Sequence, residues 1–297
     1  MSTLEAAPLE VAVSRAPLRD FARALRRRPL MAIGLGIIVV AVLLAVLAPL
    51  ITPYPADAGS LTHPTNTLAS PGHGHILGTD QLGRDVFTRV IYGARTSLLI
   101  VLSVLVLAAL VGVPLGIVAG ATGGWVDDVI MRITDIFLAF PALLLALALA
   151  TVLSPSAEHA ALAIAVTWWP WYARLARGSA AAIAGRGYVE AARALGVSRV
   201  RVLARHVLPN ALPPTLVQLS LDAAGIMLTA AALSFLGLGA QDPTPEWGLM
   251  VNQGQGLLET NWWVAVPPGL AIVVVAVGFN LLGDGLRELL DPKAGRR

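Results

Sequence analysis

The chain has 297 residues, 56% of them hydrophobic and only 13% charged, against about 25% charged in an ordinary soluble domain. At a mean hydropathy of +0.74, its apolar surface exceeds what one globular core can hide, which excludes an ordinary soluble enzyme, a disordered chain and a fibre. The 21 Lys+Arg outnumber the 18 Asp+Glu, but the basic residues flank apolar runs and do not gather beside stacking aromatics, so a nucleic-acid surface is excluded too.

Residues 1–30 read as a cytoplasmic tail, with six arginines that include Arg26, Arg27 and Arg28. Met31 to Ile51 is the first apolar run. It is longer than the core of a cleaved signal and lies further from the N-terminus, so it reads as an uncleaved anchor. Residues 52–95 form an extracytoplasmic loop and lead-in, rich in Pro, Gly, Thr and His. His63, His73 and His75 lie in Gly/Pro-rich chain without the convergent ligand set a metal needs, so no metal site is expected. Asp80, Arg84 and Asp85 are expected to pair locally as an ordered cap before the next span.

Thr96 to Val126 is the second run, with breaks expected near Pro114 and Gly120. The spacing of Gly112 and Gly116 points to close helix packing. Ile130 to Leu153 is the third run, where Arg132 and Asp135, three apart, should pair on one helix face. Only fifteen residues separate Glu158 from Arg174 in the fourth. It is accepted as a span because Arg174 can snorkel and because Trp168, Trp169, Trp171 and Tyr172 read as an interfacial belt. The fifth, Pro213 to Leu238, contains Asp222. An acid inside a span is costly, so Asp222 faces either a solute path or a hydrogen-bonding partner helix. The loop from Ala240 to Asn261 reads PTPEW at Pro243 to Trp247, and its tryptophans predict order. The sixth run is Trp263 to Leu282, and residues 284–297 are a second cytoplasmic tail.

Backbone in lipid must satisfy its own hydrogen bonds, and no alternating strands occur, so the expected fold is all-α, a polytopic membrane protein of six helices. Six spans place 17 of the 21 basic residues on one side and Arg84, Arg89 and Arg95 opposite, with Arg132 inside the third run. The positive-inside rule then makes both termini cytoplasmic. Lys293 is the sole lysine and lies outside any Gly-rich loop, so the chain has no Walker-A site for ATP. With no cysteine it has no thiolate chemistry either. No catalytic residue and no cofactor is expected.

The cytoplasmic segment Tyr188 to Asn210, YVEAARALGVSRVRVLARHVLPN, reads as two short helices. Ala191, Ala192 and Ala194 favour the first, over Val189 to Leu195. Gly196 can take the positive φ that ends it. Ser198 can cap the second, and Pro209 is expected to stop it near His206. A stiff small-residue helix with one carboxylate, Glu190, suits docking into a groove of another protein. It would equally serve as a solvated linker in which Glu190 pairs with Arg193.

Glu190-Ala191-Ala192, Gly196 six residues after the glutamate, and Leu208-Pro209 together resemble the EAA loop of ABC importer permeases. LGTDQLGRDVFTRVIYGARTSL (Leu77 to Leu98) resembles the lead-in of the C-type permease of peptide and nickel importers. LSFLGLG from Leu233, the following PTPEWG, and LGDGLRELLDP from Leu282 fit the same family, as do Arg132, Asp135 and Pro141. The likeness covers roughly residues 20–292. It implies a type I ABC importer permease fold, with a core over residues 96–283 and a coupling loop over residues 178–212. It further implies a second homologous permease, two cytoplasmic ATPases docked on the EAA loops, an extracytoplasmic substrate-binding protein, and a bacterial or archaeal plasma membrane. Glu190, Ala191, Ala192 and Gly196 carry over as ATPase-coupling residues, and peptides or nickel chelates as cargo. Two positions depart from the family: Ala230 and Gly187 stand where an acid is common. A secondary transporter driven by an ion gradient is the competing class, but neither a six-plus-six repeat nor an obvious proton relay is present.

Overall fold

The computed structural model describes residue 25, residues 28–72 and residues 74–290. Arg26, Arg27, His73, Lys293, Arg296 and Arg297 lie outside these.

The described residues form helices and turns, with no strand among them. The first run is α1, Pro29–Ile51, and two 3-10 turns, Pro55–Ala58 and Pro64–Asn66, follow. Helix α2, Val86–Thr122, starts ten residues before the apolar run because Asp85 caps it, its carboxylate accepting from the Thr88 amide. Pro114 does not break α2. The break falls at Gly123 and Gly124, both at positive φ, +64° and +58°.

The third run is not one straight span. It divides into α3, Gly124–Leu138, and α4, Ala142–Val152, bent by 85°. Pro141 supplies the cause, lacking an amide proton and crowding the residue before it. Helix α5, Ala157–Ala184, is capped by Ser156. Four helices among the described residues are long and apolar enough to cross a bilayer, and the bent pair makes a fifth. Helix α5 has the length, 28 residues, or about 42 Å, but not the apolarity.

Three short pieces follow: α6, Gly187–Ala194, then α7, Arg199–Val202, then a π turn, Leu203–Val207. Helix α8, Leu208–Phe235, continues directly from the turn, so Pro209 does not stop the chain. A proline in a first turn removes an amide with no partner to lose. The π turn shifts the ladder, with Leu208 N–H donating to Leu203 O. Asn210 Nδ2 donates to His206 O at 2.7 Å, satisfying another carbonyl. Helix α9, Trp247–Gly254, and α10, Val266–Leu290, complete the chain.

Glycine sets the tightest packing. A Cβ on Gly112, Gly116 or Gly120 would fall inside the carbonyl oxygens of Trp169, Ala173 and Arg177. Helices α2 and α5 therefore meet backbone to backbone, as the Gly112/Gly116 spacing predicts and one turn beyond it. The same contact overturns the expected aromatic belt: Trp169 and Tyr172 are buried in it, while Trp171 is exposed. Arg132 does not pair with Asp135. Arg174 of α5 does, and Arg177 Nη2 holds Asp127 at 2.6 Å. At the other seam Arg28 Nη1 donates to Gly285 O at 2.9 Å, tying the start of α1 to the last turns of α10.

The lead-in motif folds into a cap around buried charge. Arg84 Nε binds Asp80 Oδ2 at 2.8 Å, and Arg84 Nη1 binds Asp242 Oδ1 at 2.9 Å. Asp57 Oδ2 accepts from the Asp85 amide at 2.8 Å. His63 pairs with Asp57 at 3.0 Å and His75 with Asp85 at 2.9 Å. The expected local cap thus reaches further than expected, because Asp242 comes from the loop before α9. The tryptophans order that loop as predicted: Trp247 Nε1 donates to Val90 O at 2.8 Å and Trp263 Nε1 to Thr79 O at 3.2 Å, whereas Trp262 stays exposed.

Candidate functional site: a docking helix and a mid-helix cavity

Helix α6 presents two faces. Val189 is fully buried, and Val202 and Val207 behind it anchor the following segment. Tyr188 meets the His206 ring edge to face at 6.1 Å. Glu190 and Ala191 are exposed, and Ala192 is half-buried. Leu195 and Val200 also stand out from the surface, 85% and 76% exposed. Bulky apolar side chains held that far into solvent on an ordered segment are a feature of interaction surfaces.

The helix ends as the sequence predicts. Gly196 has φ +81°, and its amide donates to Arg193 O at 3.0 Å. The Val197 amide reaches back to Ala192 O at 3.1 Å, completing a Schellman end. Two expectations fail here. Ser198 occupies the capping position without a side-chain bond. Glu190 makes no ion pair with Arg193 or any other described residue, so the linker reading loses its stabilising contact. The glutamate side chain is left facing water. From α6 the chain turns at residues 195–198 into α7, which continues through the π turn directly into α8.

Asp222 is far from this loop. It is the fifteenth of the 28 residues of α8. With Gln218, Trp168, Trp171, Arg174 and Leu175 it lines an open-sided cavity of about 660 Å³. It accepts a hydrogen bond from Gln218 Nε2 of its own helix at 2.9 Å and faces Tyr172 of α5. The Tyr172 hydroxyl lies beside this carboxylate, wholly buried and without a hydrogen-bond partner of normal geometry. Ala142, the first residue of α4, lines the same cavity. Sequence reasoning singled out Asp222 but missed this company, because the cavity depends on the α3–α4 elbow, which apolarity alone does not reveal.

It also missed Glu246. This buried carboxylate caps α9, accepting from the amides of Gly248 at 3.0 Å and Leu249 at 2.9 Å and from Ser97 Oγ at 3.1 Å. An acid directly before a short apolar helix was the available signal. Ala230 is buried in α8, where a longer side chain would have to be accommodated.

Residues 112–296 match the family described as "Binding-protein-dependent transport system inner membrane component". Residues 16–71 match the "N-terminal TM domain of oligopeptide transport permease C". The chain is 45% identical over 271 residues to the probable D,D-dipeptide transport system permease protein DdpC of Escherichia coli, covering 91% of this chain and 90% of the relative. It is 43% identical to the E. coli dipeptide transport system permease protein DppC, over 95% of both chains. Its likeness to the Alkalihalophilus pseudofirmus dipeptide permease DppC is 42%, over 93% and 90%. Among solved structures, an inward-facing form of the MetNI methionine ABC transporter superposes with a TM-score of 0.56 at 18% identity, covering 68% of this chain and 97% of that one. That likeness carries the type I ABC importer permease fold. Family match, relatives and fold agree with the apolar helices, and they give the ion-gradient alternative no support: the chain belongs to the binding-protein-dependent transport permeases, multi-pass components of the inner membrane.

Proposed function

We propose that this permease carries di- or oligopeptides, or related small solutes such as nickel chelates, into a bacterial or archaeal cytoplasm. It does so beside a second, homologous permease, with two cytoplasmic ATPases supplying the energy and an extracytoplasmic binding protein supplying the solute. Residues 178–212 are the coupling unit within a core of residues 96–283. Glu190, Ala191, Ala192 and Gly196 contact an ATPase, and Asp222 lies on the solute path. The chain crosses the membrane six times, counting α5 and the bent pair, and both termini are cytoplasmic. The Arg28–Gly285 bond supports that orientation, since it brings the two end segments to one side.

The observation that carries the reading is the face of α6, where an unpaired glutamate and a small-residue surface stand on a segment firmly anchored beneath. A groove on a partner can approach such a face closely and offer Glu190 an arginine. Rigid-body movement of that partner is then transmitted through the π turn into α8.

The test is transport by the assembled complex in proteoliposomes, with labelled dialanine outside. The expected result is uptake that requires both ATP and the binding protein. Uptake driven by an ion gradient without ATP would overturn the proposal in favour of secondary transport.

A further inference from the structure

We infer that the cavity at Asp222 is a recognition site for the two charged ends of a peptide: Asp222 takes the ammonium, and Arg174 with the bare N-terminus of α4 takes the carboxylate. This deepens the proposed function and rests on it.

The cavity lies half-way along its helices. Asp222 is the fifteenth of 28 residues in α8, and Trp171 the fifteenth of 28 in α5. Helix α4, at 11 residues, spans about 16 Å, roughly half the hydrocarbon layer. Interrupted helices at that depth are tolerated where the broken backbone lines a cavity, and this is where transporters hold cargo.

The two poles differ in chemistry. At one, the Asp222 carboxylate has two neutral neighbours, the Gln218 amide and the buried Tyr172 hydroxyl. Neither neighbour carries the positive charge that an acid at this depth calls for. An ammonium with three donors can bond Asp222 and Tyr172 together. The indoles of Trp168 and Trp171 line the same cavity and favour a cation. At the other pole, Arg174 lines the cavity while sharing Asp135, and its remaining N–H groups are free to bind a second carboxylate. Pro141 precedes α4 and offers no side-chain cap, so the first amides of α4, beginning at Ala142, keep open donors and a partial positive charge toward an anion. One cavity that offers an acid with aromatic walls and a cation with a helix N-terminus matches a zwitterion. A uniformly charged solute would meet one hostile pole.

The test measures equilibrium binding of labelled dialanine to the purified assembled complex without its binding protein. Unlabelled dialanine, N-acetyl-dialanine and dialanine amide compete. In the wild type, blocking either end should weaken competition about tenfold, the scale of one lost charge-assisted bond. Asp222→Asn should abolish the penalty for acetylation and keep that for amidation. Asp222→Glu should restore the acetylation penalty. Arg174→Gln should show the reverse pattern. A purely structural Asp222 would lower binding of all three peptides alike, and that result overturns the inference. So does ATP-driven dialanine uptake by a complex that binds all three equally or none. If the complex imports no peptide at all, the peptide reading fails first and takes this site with it.

Discussion

Arg84 Nη1 lies 2.9 Å from Asp242 Oδ1 although 158 residues separate them. The two ends of the pair are not equivalent. Arg84 is 2% exposed and also binds buried Asp80, whereas Asp242 is 42% exposed. Removing the arginine leaves buried Asp80 only the longer ion pair with Arg89, at 3.6 Å, and should cost up to about 3–5 kcal/mol. Removing the wet partner should cost about 1 kcal/mol or less. Thermal melting of the purified, detergent-solubilised protein is expected to fall sharply for Arg84→Ala and little for Asp242→Asn; equal shifts would contradict this division.

Glu246 should behave as a hinge pin for the same cap. Its carboxylate satisfies two amides and a hydroxyl, all buried. Glu246→Ala leaves these donors without a partner and is expected to destabilise by about 1–3 kcal/mol. Glu246→Gln keeps an acceptor and should cost less. Hydrogen exchange at Gly248 and Leu249 reads the effect locally, with faster exchange expected in the alanine variant.

The glycine seam between α2 and α5 gives a paired comparison. Gly116→Ala forces a methyl group into the Ala173 carbonyl and should cost about 1–3 kcal/mol through overpacking. Gly178→Ala, on α5 with open space around it, should be neutral or stabilising by up to about 1 kcal/mol. Folded yield after detergent extraction distinguishes them. A tolerated Gly116→Ala would mean the two helices have room to separate.

In the coupling segment, Glu190→Lys should leave the chain inserted and folded, since the side chain is exposed and makes no described ion pair. Uptake should fall by tenfold or more while the protein level is unchanged. Gly196→Val places a β-branched residue at φ +81°, a conformation that costs about 1–3 kcal/mol. It should unwind the end of α6 and uncouple ATP hydrolysis from uptake. Normal substrate-stimulated hydrolysis in both variants would remove the coupling role.

These cases also mark what was readable before the structure. The Gly112/Gly116 spacing gave the seam because a missing Cβ acts locally, and Gly196 gave the helix end for the same reason. Apolar runs located the membrane helices because lipid thickness imposes a length. The α3–α4 elbow stayed hidden because composition is blind to a bend inside an apolar stretch, and Pro141 alone does not distinguish a kink from a right angle. Pro209 misled because a π turn absorbed it. Asp135 found Arg174 rather than Arg132 because a neighbouring helix offered a better-placed charge than the same face.

Consider last the seam at Gly34, where an added methyl would lie 2.6 Å from the Leu282 amide nitrogen and 2.7 Å from Gly278 O. Among the described helices, α1 leaves the ribosome before all others and is fitted against α10, which follows them. During synthesis α1 meets α2 first, where Arg95 Nε donates to Ala45 O at 3.3 Å, and its almost uniformly apolar surface lets the Gly34 face stand in lipid until α10 arrives. A nascent chain truncated before α10 therefore leaves the Gly34 face of α1 without its partner.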